Sequence, residues 1–237
     1  MNPRAPEIGF DRFVQIDWII IALRVRAGQC GLDDLNAGLE AAGLGAEARI
    51  KTRTKLNALV LEPRPDLADF IRRGAQLCSE RDESDVLPFA WGAALATYPY
   101  FGRVSEFTGR LTALQGDCAA SEIHRRISEI YGDREITKRA TQAVLQSQAN
   151  WGVVKRVERG KRLIRLPARG VANHEAIAWL IEAALRFQGR SMSLSTLQSA
   201  ATLYPFVLDQ SLAFVVSRSP SLELHTEGGG REYVALA

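Results

Sequence analysis

The side chains of this chain that could do chemistry are cations, and they are concentrated in one segment. Residues 121–170 carry twelve Lys and Arg against five Asp and Glu, whereas the other 187 residues carry 18 against 22. Phosphates are attracted to a surface where cations are gathered, so this distribution predicts binding to a nucleic acid. The formal net charge of +3 for the whole chain conceals this basic segment.

The apolar residues around these cations predict two helices and a hairpin. Ile123, Ile127 and Ile130 are spaced to form one stripe along a helix, and Gly132 supplies a turn after it. A second helix follows the turn. Alternating apolar and basic residues then predict a β-hairpin with its turn at Glu158–Gly160.

The second helix is predicted to have two different sides, because successive residues are 100° apart. The residues predicted to pack inward are Ile136, Ala140, Ala143, Val144 and Ser147. The residues predicted on the opposite side are Arg134, Lys138, Thr141, Gln142 and Leu145. The first four can reach phosphates or base edges in a major groove, whereas Leu145 suits packing against protein at least as well.

The hairpin is predicted to add cations beside that helix. A three-residue loop would place Arg156 opposite Arg162, and two opposed arginines repel each other unless an anion lies over them. A plain solvated hairpin is the alternative. The full set of residues predicted to contact DNA is Arg125, Arg134, Thr137, Lys138, Thr141, Gln142, Lys155, Arg156, Arg159, Lys161, Arg162 and Arg165.

The order of helix, turn, helix and basic hairpin resembles the winged helix-turn-helix superfamily. The string YGDREITKRATQAVLQSQANWGVV corresponds to the helix-turn-helix and KRVERGKRLIRLP to the wing. The resemblance implies a helix that enters the major groove and a wing that contacts the DNA backbone. A fainter similarity, through KTRTKLNALVL and WGVV, is to the accessory DNA-binding proteins of bacterial BREX phage-defence systems. That similarity would imply a non-enzymatic component of a defence complex.

The chain is predicted to be mainly α, with tandem winged-helix domains, each with a small β-hairpin wing, after an N-terminal helical domain. The polar string RDESD at 81–85 marks the first boundary, and the predicted domains are 1–82, 83–170 and 171–237. The last domain repeats three helices and a hairpin, with Gly228–Gly230 at its tip. It carries four Lys and Arg against six Asp and Glu. We therefore expect it to be mainly a packing or association surface.

A helix predicted from about 46 to 60 carries four further cations, namely Arg49, Lys51, Arg53 and Lys55. Their alternation winds them around much of the helix, which favours a solvated surface. A second DNA-contacting surface is the alternative interpretation.

The sequence lacks the motifs of common enzyme and cofactor sites. It contains no GxxxxGK[ST], GxGxxG, HExxH or GxSxG motif, and its cysteines and histidines lack metal-ligand spacing. We therefore predict no enzyme activity, no cofactor and no metal. Widely spaced cysteines and short apolar runs predict a cytoplasmic protein that does not enter a membrane.

The expected function is non-catalytic binding of double-stranded DNA, either as a regulator or as the DNA-engaging subunit of a larger assembly. Its other partners would be protein subunits or a second copy of the chain. One alternative is a winged-helix scaffold for protein–protein interaction. Another is an enzyme whose carboxylates come together only in the fold. Salt-dependent DNA binding would distinguish the expected function from the scaffold.

Overall fold

The computed structural model describes residues 7–81, 86–227 and 231–237, and this part of the chain is mainly helical with three small sheets. The predicted boundary residues 82–85 and hairpin tip Gly228–Gly230 lie outside the described residues. The α-helices are α1 (Ile16–Arg26), α2 (Leu32–Ala41), α3 (Ala46–Leu56), α4 (Ala68–Ser79), α5 (Leu87–Thr97), α6 (Pro99–Thr112), α7 (Ala120–Tyr131), α8 (Glu135–Asn150), α9 (His174–Gln188), α10 (Leu194–Gln198) and α11 (Leu212–Arg218). The strands are β1 (Asp117–Ala119), β2 (Val154–Val157), β3 (Arg162–Arg165), β4 (Arg169–Val171), β5 (Met192–Ser193), β6 (Phe206–Leu208), β7 (Leu222–Glu227) and β8 (Arg231–Leu236).

Two helices with little polar surface form the centre of the protein. Every residue of α5 is buried, and α9 is buried from Ala176 to Leu185. A helix that is apolar on all sides has no face to give to water, so both helices are surrounded by other elements. They pack against each other, and α4 packs against both.

The segment from Pro99 to Arg165, which we call the basic module, consists of α6, β1, α7, α8 and the β2–β3 hairpin. Its three strands are antiparallel in the order β1-β3-β2, so the first strand pairs with the far strand of the hairpin. The short β1 pairs Cys118 with Leu163, whose side chain is fully buried. This pairing fixes the hairpin against the start of α7.

The segment from His174 to Leu236, which we call the C-terminal module, repeats that element order. Helix α9 is followed by β5, α10, α11 and the β7–β8 hairpin, and the strand order β5-β8-β7 matches that of the basic module. An additional strand, β6, lies between α10 and α11 and pairs in parallel with β4, opposing Val171 to Leu208. The linker between the modules is therefore hydrogen-bonded to the C-terminal module.

A tryptophan of the C-terminal module packs against the N-terminal unit, residues 7–81, and against α5. The Trp179 indole of α9 stacks on Phe70 of α4 with ring centroids 4.2 Å apart, and its Nε1 donates to the Phe70 carbonyl at 3.0 Å. A Cβ atom on Gly74 or Gly92 would lie 2.4 or 2.2 Å from atoms of this ring. The indole therefore fills a slot that only residues without a side chain can form.

An extended stretch before α1 holds the far end of α8. The N–H of Val14 donates to Ser147 Oγ at 2.9 Å, and the N–H of Ile16 donates to Asn150 Oδ1 at 2.8 Å. Trp151 Nε1 returns a hydrogen bond to the Val14 carbonyl at 2.9 Å. Buried side chains from all three predicted domains belong to one continuous hydrophobic cluster. The division into three domains remains a prediction.

Candidate nucleic-acid interface

A groove of about 980 Å³ runs between the start of α7, one side of α8 and the tip of the β2–β3 hairpin. Its walls come from three elements that are fixed by the basic module's sheet. The polar residues that line it are Ser121, His124, Asp133, Arg134, Glu135, Lys138, Thr141, Gln142, Arg156, Glu158, Arg159, Lys161 and Arg162. Six of these residues are Lys or Arg, so the groove gathers cations from segments well separated in the sequence.

Four of the cations in this groove have neither an ion-pair nor a side-chain hydrogen-bond partner in the described part of the chain, and we call them unneutralised. Lys138, Arg156, Arg159 and Lys161 are exposed, and none lies within salt-bridge distance of a described carboxylate. Side chains of this kind can exchange water for a phosphate without first breaking an internal ion pair. They are therefore the groups best suited to bind an anion.

The other two cations of the groove have internal partners. Arg134 is the N-cap residue of α8, and its Nη2 donates to the Tyr131 carbonyl at 2.9 Å. Arg162 donates from Nε and Nη2 to Asp117 Oδ2 at 3.0 and 2.6 Å. These hydrogen bonds raise the pKa of the Arg162 guanidinium. Arg162 thus ties the hairpin to β1 as well as facing the groove.

The hairpin turn has an unusual backbone. Glu158 and Arg159 have φ angles of 51° and 56°, in the left-handed region that residues with side chains rarely adopt. Gly160 follows with φ of 85°, and a Cβ atom there would lie 2.5 Å from Arg156 Nη2. The turn therefore lets the Arg156 guanidinium lie directly over residue 160 while Arg159 projects at the tip.

The hairpin register differs from that of a three-residue loop. Arg156 lies opposite Leu163, and Arg162 lies opposite Val157. The loop has four residues because 158–160 form a 3₁₀ turn, closed by a hydrogen bond from the Lys161 N–H to the Glu158 carbonyl at 3.2 Å. The expected repulsion between directly opposed arginines is therefore absent from the described hairpin, so no anion is needed over that pair.

The predicted outward side of α8 is partly wrong. Thr137 and Thr141 are buried, with 0% and 1% exposure, whereas Ile136 is 49% exposed. The hydroxyl of Tyr100 on α6 donates to the Thr137 carbonyl at 2.8 Å and lies 2.7 Å from Thr141 Oγ1. Tyr100 thus gives the Thr141 hydroxyl a buried partner at the α6–α8 contact, whereas the Thr137 hydroxyl is buried without a hydrogen-bond partner among the described residues. Leu145 is also buried, as its apolar side chain suggested.

Three further predicted contacts lie outside the groove. Arg125 is paired with Glu122 and Glu129, and hydrogen bonds from Arg125 and Arg126 lower the pKa of Glu122 to about 2. Lys155 and Arg156 are neighbours on β2, and the side chains of neighbouring strand residues point to opposite sides of a sheet. Because Arg156 lines the groove, Lys155 points away from it. The remaining prediction, Arg165, faces the C-terminal module.

Arg165 joins the two modules instead of lining the groove. Its Nη2 donates to the Tyr204 carbonyl, and its guanidinium lies 5.3 Å from the centroid of the Tyr204 ring. The Tyr204 hydroxyl in turn donates to Gln148 Oε1 at 3.0 Å, and Gln148 Nε2 donates to Ser105 Oγ at 3.0 Å. Arg165 is therefore part of a packed contact outside the groove, and its role as a DNA contact stays a prediction.

The groove also contains residues outside the predicted set of DNA contacts. Ser121 and His124, near the start of α7, line it beside the hairpin. The spacing of the α7 apolar stripe places both residues off that stripe, which could have identified them as accessible, and Ser121 is exposed while His124 is half-buried. Asp117 could not have been identified in this way, because its role depends on β1 pairing with β3.

The four cations of α3 already have partners in the N-terminal unit. Arg49 is paired with Glu40, and Lys51 with Glu47. Arg53 donates to the side chains of Asn57 and Asn36 at 2.9 and 2.8 Å. Lys55 Nζ lies 2.8 Å from Asp11 Oδ1 and donates to the Gly9 carbonyl at 2.7 Å. These contacts support the interpretation of α3 as a solvated, internally paired surface.

The described part of the chain contains no group of three or more His, Cys, Asp and Glu residues that could hold a metal ion. Burial raises the pKa of the Cys118 thiol, which lies beneath the hairpin, to about 11. None of the described helices is both long enough and apolar enough to span a membrane.

Comparison with known proteins gave no relative: no protein-family model, no curated protein and no solved structure matches this chain.

Proposed function

We propose that this chain is a non-catalytic protein that binds double-stranded DNA through the groove of the basic module. The observation that carries the proposal is the set of four unneutralised cations, Lys138, Arg156, Arg159 and Lys161, around one open groove. Elsewhere many Lys and Arg residues are held in ion pairs. Cations left without carboxylate partners on one concave surface are the electrostatic requirement for binding phosphates.

The element order supports a winged-helix assignment for both modules. Each has a first helix, a short strand, two helices and a hairpin, and in each sheet the first strand pairs with the last. In a winged helix the third helix enters the major groove while the wing contacts the backbone. In the basic module these elements are α8 and the β2–β3 hairpin, and both line the groove.

The groove lining favours a duplex over a single strand. Binding of unpaired bases uses exposed aromatic rings for stacking. The lining contains no Phe, Tyr or Trp among the described residues, and the nearby rings of Tyr100, Tyr131 and Trp151 are buried. Exposed Lys138 and Gln142 on one side of α8 suit the edges of paired bases in a B-form major groove.

The proposal is tested by the salt dependence of binding to a labelled duplex of about 20 base pairs, measured by fluorescence anisotropy. The triple variant Arg156→Ala, Arg159→Ala, Lys161→Ala should lower the log–log salt slope by about 2.7. Affinity at about 0.1 M salt should fall by about a hundredfold or more. These effects are expected because each phosphate contact that is lost leaves one counterion fewer to be released from the DNA on binding.

A matched control removes three exposed arginines from the C-terminal module. The triple variant Arg190→Ala, Arg218→Ala, Arg231→Ala changes the same net charge away from the groove, so its slope should stay close to that of the natural protein. If the two triple variants lose equal affinity, the groove is not the binding site. Failure of the natural protein to bind any duplex would favour the alternative function, a winged-helix scaffold that binds other proteins.

A further inference from the structure

We infer that the groove reads only two base pairs, through Lys138 and Gln142. The chain then engages duplex DNA with low sequence selectivity and cannot act alone as a repressor of one unique operator. This inference rests on the proposed function, since it assumes that α8 enters the major groove. It distinguishes between a stand-alone regulator and a DNA-engaging component of an assembly.

Helix α8 presents only a small number of exposed side chains to the groove. The side chains of Thr137, Thr141 and Leu145 are buried in the core. The Tyr100 hydroxyl contacts both threonines. Lys138 and Gln142 are the exposed groove-lining residues between the first turn of α8 and its end. The part of this helix that can read bases is therefore one pair of side chains, those of Lys138 and Gln142, which lie about one helical turn apart.

The remaining polar groups at the start of α8 are committed to the protein. Arg134 holds the Tyr131 carbonyl at 2.9 Å, which fixes its guanidinium at the turn between α7 and α8. Glu135 accepts a hydrogen bond from Arg139 Nε at 3.1 Å. A carboxylate at this position also repels phosphates, so Glu135 adds no favourable contact deep in a DNA groove.

The geometry of an α-helix sets which base pairs the two side chains can reach. Residues four apart are separated by about 6 Å along the helix axis, since the rise is about 1.5 Å per residue. Base pairs are stacked about 3.4 Å apart, so Lys138 and Gln142 meet pairs about two steps apart. Lys donates only and matches the guanine O6 and N7 acceptors, whereas the Gln amide matches adenine N6 and N7.

The hairpin adds affinity without adding much sequence information. Arg156, Arg159 and Lys161 are exposed cations at the wing tip, suited to phosphates, and phosphate contacts carry no direct base information. A guanine and an adenine at a fixed spacing recur roughly once in sixteen positions of random sequence, far too often to mark one genomic site. A second DNA-reading chain or subunit must therefore supply any unique address.

The test is a binding selection from a pool of duplexes with about ten randomised base pairs, followed by sequencing of the bound fraction. The natural protein should enrich two positions, each by roughly 5- to 150-fold, and leave the others unselected. Lys138→Ala should abolish the guanine preference, and Gln142→Ala the adenine preference. Gln146→Ala is the matched control, because Gln146 is exposed on the same helix outside the groove.

The outcomes separate this inference from the proposed function. Selection of six or more positions would overturn it, as would duplex binding whose preferences survive both Lys138→Ala and Gln142→Ala. Binding with no preference at any position would likewise show that these residues do not read bases. In those cases the proposed DNA binding would still stand. If the natural protein binds no duplex in the pool, it is the proposed function that fails.

Discussion

The basic module and the C-terminal module have the same element order but opposite surface character. In the basic module the third helix, α8, has sixteen residues, and its hairpin carries exposed Arg156, Arg159 and Lys161. In the C-terminal module the corresponding helix, α11, has seven residues. Its hairpin carries Glu223 paired with His225 at 3.2 Å. One topology therefore carries two surfaces of different charge, and that charge decides which surface can attract an anion.

The difference in helix length has a structural cause outside the modules. Helix α8 is held at its far end by the extended stretch before α1, through Ser147, Asn150 and Trp151. Isolated helices of this length are marginal in water, so tertiary contacts of this kind stabilise the last turns. No described residue outside the C-terminal module makes a side-chain hydrogen bond to α11, which ends after two turns.

Removal of one module should have the largest effect on the protein. Although the surfaces differ, the core is shared, because α9 packs against α5 with Ile177, Leu180 and Ile181 fully buried. A chain truncated before Val171 should therefore lose cooperative folding altogether. The measurement is a thermal melt followed by circular dichroism, with NMR chemical-shift dispersion as the second readout. Restoration by adding 171–237 as a separate polypeptide is the control. A sharp melting transition in the truncated chain alone would show that the modules fold independently.

A buried carboxylate provides a smaller test of the same shared core. Glu182 of α9 is 1% exposed and accepts hydrogen bonds from Arg73, Arg186 and Ser221 at 2.7 to 3.0 Å. Glu182→Gln should lower the free energy of unfolding by about 2 kcal/mol, because it breaks a buried pair whose arginines can still reach water. Urea denaturation measures this loss, and DNA affinity should be unchanged.

The matched control for that variant is Glu135→Gln, which removes an exposed pair with Arg139. It should cost less than about 0.5 kcal/mol. Equal losses for the two carboxylates would mean that Glu182 does not join the N-terminal unit to the C-terminal module.

The smallest predicted effect concerns single cations within the basic module. Arg159→Ala should weaken duplex binding about eightfold at about 0.1 M salt, the effect of losing one phosphate contact. Arg125→Ala should weaken it less than about twofold, because Arg125 lies outside the groove and salt screens distant charges. Anisotropy titrations compare the two variants directly. An equal loss for both would extend the interface to α7.

Much of the architecture could be predicted from the spacing of apolar residues. The mainly helical class with small sheets is confirmed, and the helix, turn, helix and hairpin after residue 120 form within a few residues of their predicted bounds. Strand β1 could not be predicted, since its three residues become a strand only by pairing with β3. Strands of this length have no periodicity of their own to recognise.

The site was predicted less completely than the fold, and for a physical reason. Periodicity assigns polar residues to the surface, but Thr137 and Thr141 are buried against Tyr100, which is far away in sequence and bonds the Thr137 carbonyl and the Thr141 hydroxyl. The ion pairs of Arg125 could be predicted from the sequence, because Glu122 and Glu129 are three and four residues away on one helix. The hairpin register depended on a loop conformation that composition alone does not determine.

The slot occupied by Trp179 constrains the order in which this sequence can change over evolution. A methyl group on Gly74 or Gly92 would overlap the indole, whereas a smaller residue at 179 would leave a cavity that those glycines cannot fill. Each substitution is therefore harmful alone and tolerable only after one of the others. A sequence that changes at Gly74, Gly92 or Trp179 must first pass through a less stable protein. These three residues should therefore be inherited as a set.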